Sequence, residues 1–335
     1  MLINTDKEIK LEKIVVSKNG ISAEIIEHSI TEEGKELITY NLRYGLLVHA
    51  EMLRHRMLTN NVKSNRAIPA KVIRKEVWND PYIPVWFGQN QPGMVAENKN
   101  KHERLTRFIW KAARYPACFA HWCGEKLGLH KETLNRQLSP WQWVRQTTTA
   151  TELDNLFNLR LHKDAQKDIQ ELVKCMYAAK IVSVPTLLKA GEWHTPYVNK
   201  QRVDGVLHYY DNDGQELSVE EAIKCSAARC ARSSYDKHDG TKTTKAEDIP
   251  LYERLIESKP THASPVENQG TPIVQSMKRN WNRVKGITHK TTGGRLCSGN
   301  FVGWIQYRQT LKDHTCYEYK GGTSVKQEIS RNLIR

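Results

Sequence analysis

Residues 54–66 read Arg-His-Arg-Met-Leu-Thr-Asn-Asn-Val-Lys-Ser-Asn-Arg. Arg54, His55, Arg56, Lys63 and Arg66 can carry positive charge, and they alternate with the hydroxyl and amide groups of Thr59, Asn60, Asn61, Ser64 and Asn65. Groups of this kind are costly to bury without partners. A guanidinium grips an oxyanion through two parallel N–H bonds and stacks on flat rings, so the array suits an anionic ligand that carries a ring. An Arg-His-Arg triplet alone is also what a solvated surface looks like, so other blocks must decide. Three stand out: Asn-Arg-Gln-Leu-Ser-Pro at 135–140, Asp-Asn-Leu-Phe-Asn-Leu-Arg at 154–160 with its continuation to Ile169, and Ala-Arg-Ser-Ser-Tyr at 231–235 paired with His-Ala-Ser-Pro-Val-Glu at 262–267.

Other chemistries lack their residues. No Gly-x-Gly-x-x-Gly follows a strand pattern, and neither a phosphate-binding loop nor His-Glu-x-x-His occurs. No metal site is expected. His194, in Gly-Glu-Trp-His-Thr-Pro-Tyr, reads as a satisfied loop histidine rather than a ligand. The seven cysteines, 118, 123, 175, 225, 230, 297 and 316, include no Cys-x-x-Cys and read as reduced thiols. None lies in the blocks above, so a thiolate nucleophile has no candidate. The formal charge of +14, from 51 Lys and Arg against 37 Asp and Glu, asks for anionic partners or serves solubility. Nucleic acid is a minority reading: no run of five basic residues occurs, and the tryptophans are scattered rather than laid out as a stacking platform. Residues 1–13 have no apolar core of a signal peptide, and no window is apolar enough to span a membrane, so a cytoplasmic protein is expected, in the host cytoplasm if phage-encoded.

The elements that must position these blocks are partly legible. Residues 9–28 alternate as a strand pair turned at Asn19-Gly20, and 37–42 as a further strand. Leu46, Leu47, Ala50, Leu53 and Met57 predict a helix over 44–58. Residues 78–100 form a loop, and 103–128 a helix broken at Pro116. The clearest helix spans 152–180, where Arg160 and Asp164 fall on the apolar stripe. That pair is either an i,i+4 tether or an arginine at the floor of a site. Asp211-Asn212-Asp213-Gly214 signals a hairpin turn, 218–232 a helix, and 236–247 and 284–298 mobile loops.

Together the blocks resemble the flavin-dependent thymidylate synthases. That family carries Arg-His-Arg, two residues, Ser, one residue, Asn, two residues, Ser, one residue, Arg. Here Arg54, His55, Arg56, Asn61, Ser64 and Arg66 match, with Thr59 at the first Ser. Asn155, Asn158-Leu159-Arg160, Ala165-Gln166 and Ile169 are similar to its C-terminal helix, Arg136 with Pro140 to its Arg-x-x-x-Pro step, and 231–235 and 262–267 to its remaining blocks. Val48-His49-Ala50-Glu51 and residues 300–308 look like the long phage and bacterial branch. The resemblance covers roughly residues 30–310. The block order is permuted: the Ser-Pro block follows Arg-His-Arg here and precedes it in short members. Val62 stands where short members carry Glu, Glu51 where they carry Gln, and Asn268 where they carry His.

The resemblance implies an α/β (α+β) fold, with a central mixed or antiparallel sheet flanked by long helices. It implies one catalytic domain over 1–335, with 1–200 bearing Arg-His-Arg and the long-helix part and 215–310 the remaining blocks. The implied reaction is reductive methylation of dUMP at C5 to dTMP, with methylenetetrahydrofolate as carbon donor, NADPH as reductant and FAD as cofactor. Arg160 and Arg54 are then the catalytic candidates. Glu51, Arg54, Ser64, Asn65, Arg66, Arg136 and Arg160 would bind substrate; Arg54, His55, Arg56, Asn155, Leu159, His262, Ser264 and Glu267 would bind flavin. A homotetramer is the family's habit. The alternatives are related flavin and folate chemistry on dUMP or dCMP, ending in a methyl or hydroxymethyl group for phage base modification, a basic nucleic-acid-binding protein, or a structural subunit.

Overall fold

The computed structural model describes residues 14–232, 242–258 and 261–316. Its first half is organised by a six-stranded sheet. Strands β1 (Ile14–Val16), β2 (Ser22–Thr31), β3 (Glu36–Gly45), β4 (Thr59–Val62) and β5 (Trp143–Ala150) lie in the order β1-β2-β3-β5-β4, all antiparallel. A sixth, β6 (Thr186–Leu188), runs parallel to the far end of β2. The sheet is therefore mixed, as expected. The first hairpin turns at Gly20, whose φ of +80° suits glycine; residues 9–13 of the expected strand pair lie outside the described residues.

The two faces of this sheet differ in chemistry. Ile38, Tyr40, Leu42 and Tyr44 of β3 join Ile169, Leu172, Val173 and Met176 of helix α6 (Lys167–Val182) in the main apolar core. The opposite face is polar yet buried: Thr39, Thr147, Thr149, Thr59 and Asn61 lie on it, side by side across β3, β5 and β4. Strand β2 serves both faces because its register shifts between Ile25 and Glu27. One extra residue inverts the side-chain alternation. Ile21, Ala23 and Ile25 thus point into the core, while Glu27, opposite Thr39, joins the polar layer.

The second half covers that polar face. Strands β7 (Asn199–Val203), β8 (Val206–Tyr210) and β9 (Glu216–Leu217) form a meander whose last turn is the expected Asp211–Gly214. Helices α7 (Val219–Arg232) and α8 (Lys245–Glu257) follow. Buried Arg229 ties them together, donating to Asp248 at 2.7 Å and to Asp211. Strand β10 (Gly270–Pro272) pairs with β14 (Trp304–Gln306); β11 (His289–Lys290), β12 (Leu296–Ser298) and β13 (Phe301–Val302) form a small sheet.

Several sequence expectations need correction. The helix over 44–58 is only α1 (His49–Leu53): β3 runs on to Gly45, and the chain turns at 54–57 so that β4 can pair with β5. A side chain at 45 would fall within the ring of Tyr82. Leu47, Leu53 and Met57, which suggested a core stripe, are exposed. The helix over 152–180 is two, α5 (Asp154–Arg160) and α6. Gln166 starts the second, accepting from the amides of Asp168 and Ile169 at 2.8 and 3.0 Å. Asp164 is consequently exposed beside His162, so no Arg160–Asp164 pair forms. Helix α3 (Glu103–Lys126) runs through Pro116, which faces outward where the missing hydrogen bond is least costly. Of the two expected mobile loops, 284–298 contains β11 and buried β12, and 245–247 open α8; residues 233–241, including Ser233, Ser234 and Tyr235, lie outside the described residues. Of the loop expected over 78–100, Trp78 and Asn79 instead end α2 (Ala70–Asn79), and 80–100 are irregular apart from a bridge between Gly88 and Lys99. No described helix is long and apolar enough to cross a membrane.

Candidate functional site

Three hydrogen bonds link the 54–66 stretch to each of the other blocks. At its start, Nε2 of His55 accepts from Nε of Arg160 at 2.9 Å. In β4, the amide of Asn61 donates to the carbonyl of Ser264 at 3.2 Å, across 203 positions of chain. At its end, the carbonyl of Asn65 accepts from Asn135 at 2.8 Å, and the Asn65 amide donates to Gln142 at 2.7 Å. Asn135 is fully buried; it also donates to the carbonyl of Ile68 at 3.0 Å and accepts from Gln142 at its own carbonyl. The loop bearing Ser64, Asn65 and Arg66 is thus held beside Arg136, the next residue in the chain.

The local folds that present these groups follow from their positions. Arg160 ends α5, where the chain must turn toward α6, so its stem is half-buried and its guanidinium reaches His55. Ser264–Glu267 form a 3-10 turn stiffened by Pro265, with Asn268 behind it donating to the carbonyls of Ser264 and Pro265 at 3.4 and 3.3 Å. Glu267 pairs with Arg308, and its carbonyl accepts from Gln306 at 3.0 Å. Gln306 also donates to Asn300 at 2.9 Å, and Asn300 returns the link to β4 by donating to Thr59 at 3.0 Å and to the carbonyl of Met57 at 3.1 Å.

Around this framework lie donors without internal partners. Arg54, Arg56 and Arg136 are exposed, and their side chains make no hydrogen bond or ion pair among the described residues; Arg66 makes only a 3.7 Å surface pair with Glu132. His262, Ser264, Asn155 and Leu159 are exposed as well. One carboxylate oxygen of Glu51 is buried without a partner, as is Nε of Arg308. A site with unpaired guanidinium groups and an orphaned acceptor fits a ligand that brings phosphate oxygens and a ring with its own donors. The donor set accordingly suits a flavin nucleotide and a pyrimidine nucleotide.

Burial sets the titration of the groups inside. It pulls His55 below the ordinary histidine value, and the adjacent Arg160 charge lowers it further, so His55 is the neutral acceptor that the hydrogen bond requires. Burial raises the carboxyl of Glu267, and Arg308 opposes this. Burial pushes the thiols of Cys175 and Cys225 up to about 11 and about 12, so both stay protonated and are poor nucleophiles.

His194, read as a satisfied loop histidine, is fully buried between Ser29 and Thr39 at 2.8 Å each. Residues to which the sequence assigned no role hold the blocks together: Asn135, which opens the 135–140 block, and Asn268, where short members carry His, as buried amides, and Thr149 on a strand too polar to read as core. A buried side-chain amide can satisfy two backbone groups at once, and that role is visible only after the chain is folded.

No protein-family model and no curated protein matches the sequence. Among solved structures, a UMP/dUMP methylase PolB from Streptomyces cacaoi bound with 5-Br dUMP superposes with a TM-score of 0.41 at 14% identity, covering 50% of this chain and 92% of that one. The flavin-dependent thymidylate synthase ThyX from Helicobacter pylori, complexed with FAD and dUMP, superposes with a TM-score of 0.32 at 15% identity, covering 43% of this chain and 67% of that one.

Proposed function

We propose that this protein is a flavin-dependent methylase of pyrimidine nucleotides that converts dUMP to dTMP, with methylenetetrahydrofolate as carbon donor and NADPH as reductant. The observation that carries the reading is the direct hydrogen bonding of the Arg-His-Arg stretch to all three other blocks, through His55–Arg160, Asn61–Ser264 and Asn65–Asn135. The three bonds span 105, 203 and 70 positions of sequence and gather the donors of all the blocks around one segment.

Bound FAD would supply the redox chemistry, which explains why no cysteine nucleophile is needed. The protein's share is to bind, orient and stabilise charge. Arg160, its guanidinium aimed by His55, holds the pyrimidine and stabilises negative charge developing at its carbonyl and N3 edge. Ser64, Asn65, Arg66 and Arg136 take the phosphate and sugar; the weak Arg66–Glu132 pair yields readily to a phosphate. Arg54, His55 and Arg56 meet the flavin, with Asn155, Leu159, His262, Ser264 and Glu267 completing its contacts and Arg54 also facing substrate. Half-buried Glu51 offers its unpartnered carboxylate oxygen to a donor on the ring. That acceptor, together with Val62 where short members of the family carry Glu, favours a second reading on a ring with an exocyclic amine, dCMP, or a hydroxymethyl product.

Purified protein is expected to be yellow or to become so with FAD. Incubation with dUMP or dCMP, methylenetetrahydrofolate, FAD and NADPH, followed by mass analysis, identifies product and substrate together. A protein that stays colourless on reconstitution and leaves both nucleotides unchanged ends this reading.

A further inference from the structure

A chain of buried polar groups crosses the sheet and ends on the Ser264 loop, and its protons can be placed by elimination. Asn268 donates its two amide hydrogens to the carbonyls of Ser264 and Pro265, so its Oδ1 must accept. It accepts from the hydroxyl of Thr149 at 2.9 Å. That spends the only proton of Thr149, so the 2.7 Å contact between Thr149 and Thr39 is a donation from Thr39. Thr39 has then spent its own proton, and its 2.8 Å contact with Nε2 of His194 must be a donation from the ring. A neutral imidazole protonated on Nε2 has a bare Nδ1, which accepts from Ser29 at 2.8 Å. The longer 3.3 Å contact from Ser29 to Glu27 is given up, and Glu27 keeps Lys200 at 2.7 Å. The opposite ring tautomer would turn Nδ1–H toward Ser29 and Glu27, whose carboxylate lies 3.4 Å from it, but would leave too few protons on the other side: either the 2.7 Å Thr39–Thr149 contact or Oδ1 of Asn268 would lack a donor in a fully buried place.

We propose that His194 is a positioning residue: its Nε2–H tautomer, relayed through Thr39 and Thr149, fixes the amide of Asn268 and so the carbonyl of Ser264 that closes the candidate site. Four things support a positioning role over a merely packed core. All four side chains of the relay, with Ser29, are fully buried. They come from β2, β3, β5, the 194 loop and the residue after the Ser-Pro turn, so no local fold requires them to meet. The His194 backbone is also bridged to Gly270, at 2.8 Å from its N–H to the Gly270 carbonyl, which anchors the far end of the same loop. The Ser264 carbonyl is finally held from two sides, by Asn268 and by Asn61 of the Arg-His-Arg stretch.

The part of this inference that concerns flavin rests on the proposed function; the part that concerns proton placement does not. Side-chain nitrogen NMR of the full-length protein, with the His194 signal assigned by its loss in His194→Gln, is expected to show a protonated Nε2 and a bare Nδ1. A protonated Nδ1 overturns the proposal. Thr149→Val and Thr147→Val form a matched pair, since Thr147 lies on the same strand and face but bonds Tyr197 at 2.8 Å instead. Amide exchange over residues 262–269 is expected to speed at least tenfold in Thr149→Val and to stay unchanged in Thr147→Val, with FAD affinity weakened about tenfold in the first alone. Equal exchange in both variants overturns the relay. If wild-type protein binds no flavin, the functional reading falls, while the tautomer and exchange results still decide this inference.

Discussion

Nε of Arg160 and Nε2 of His55 meet at 2.9 Å across 105 positions of sequence, and the bond exists only while the imidazole is neutral. A guanidinium does not deprotonate in this setting, so His55 must be the acceptor, with its own proton on Nδ1. Burial and the neighbouring charge both keep His55 below its ordinary value. Activity is therefore expected to hold from pH 8 down past 6.5 and to fall only as the pH drops through the lowered His55 value, where two cations would face each other. Arg160→Ala is expected to lower kcat/KM by ~10²–10³, the scale for removing one preorganised donor to developing charge. Arg160→Lys should rescue little, because an ammonium cannot present the planar fork. Steady-state kinetics across pH checks both; full activity in Arg160→Ala would remove Arg160 from the chemistry.

Glu267 and Arg308 form a half-buried pair that ties the Ser-Pro turn to the chain after β14. Arg308→Met strands a carboxylate that burial already disfavours, and is expected to cost about 1–3 kcal/mol in urea unfolding. Adding Glu267→Gln should recover a good part, since removing both charges avoids the unpaired one. A double variant as unstable as the sum of the singles would mean the pair is incidental.

The motif residues were legible in the sequence because their chemistry is conspicuous: arginines beside amides have few bland uses. The elements carrying them were less so. Periodicity read 44–58 as helix, yet the apolar residues there are largely exposed and pairing between β4 and β5 dominates. Strand β5 escaped because Gln146, Thr147, Thr148 and Thr149 look like a surface run, whereas both faces of this strand are buried and the threonine hydroxyls bond each other or other side chains. The continuous apolar stripe through 152–180 hid the break at 161–166, which is set by the side-chain cap from Gln166. The convergence of the blocks depends on Asn61, Asn135 and Asn268. An asparagine's role in bridging two loops has no local pattern to announce it.

Asn135 is such a case with a measurable consequence. Its removal leaves the carbonyls of Asn65 and Ile68 without a donor in a buried place. Asn135→Ala is expected to cost ~1–3 kcal/mol in stability. It should also weaken dUMP binding by calorimetry more than flavin binding, because the loop it secures carries Ser64 and Arg66 rather than the flavin residues. Unchanged nucleotide affinity in a folded variant would separate that loop from the phosphate.

Burial holds His194 down to about 4, against the ordinary 6.5, with Glu27 opposing and Lys200 and His28 assisting. A folded-state value below the unfolded one means that the unfolded chain binds the proton first as pH falls. Stability is then constant above about 6.5, declines as pH drops below it, and has lost His194's full share of roughly 3 kcal/mol once pH is below 4. The interval from 6.5 to 5 lies above the ordinary carboxylate range, so the slope there reports histidines. Urea unfolding at half-unit steps should show it, and His194→Gln should flatten it while lowering stability at pH 7. An unchanged slope in that variant would assign the decline to His28, His49, His55, His121 or His314, which burial also lowers.

The outward side of α3 bears on assembly. Leu105, Phe108, Ile109, Tyr115, Phe119 and Trp122 are all exposed, with Phe108 and Phe119 at 66% and 64%. The inner side is already packed, since Cys118 and His121 are buried against α2 (Ala70–Asn79) and its neighbours. A helix apolar on both sides belongs inside an assembly, and a patch of this extent is a liability on a lone monomer. A second copy is the occupant that a homo-oligomer, expected from the family resemblance, would supply, with small Ala112, Ala113 and Ala120 on the same helix permitting close approach. Sedimentation equilibrium is expected to give a mass that is a multiple of the 38.7 kDa chain. Phe108→Asp with Phe119→Asp should shift it toward one copy without loss of helical circular dichroism, because both rings are mostly exposed and Phe119 stacks on Trp122 of its own helix. A wild-type protein that sediments as a single chain at every concentration would leave α3 to another partner.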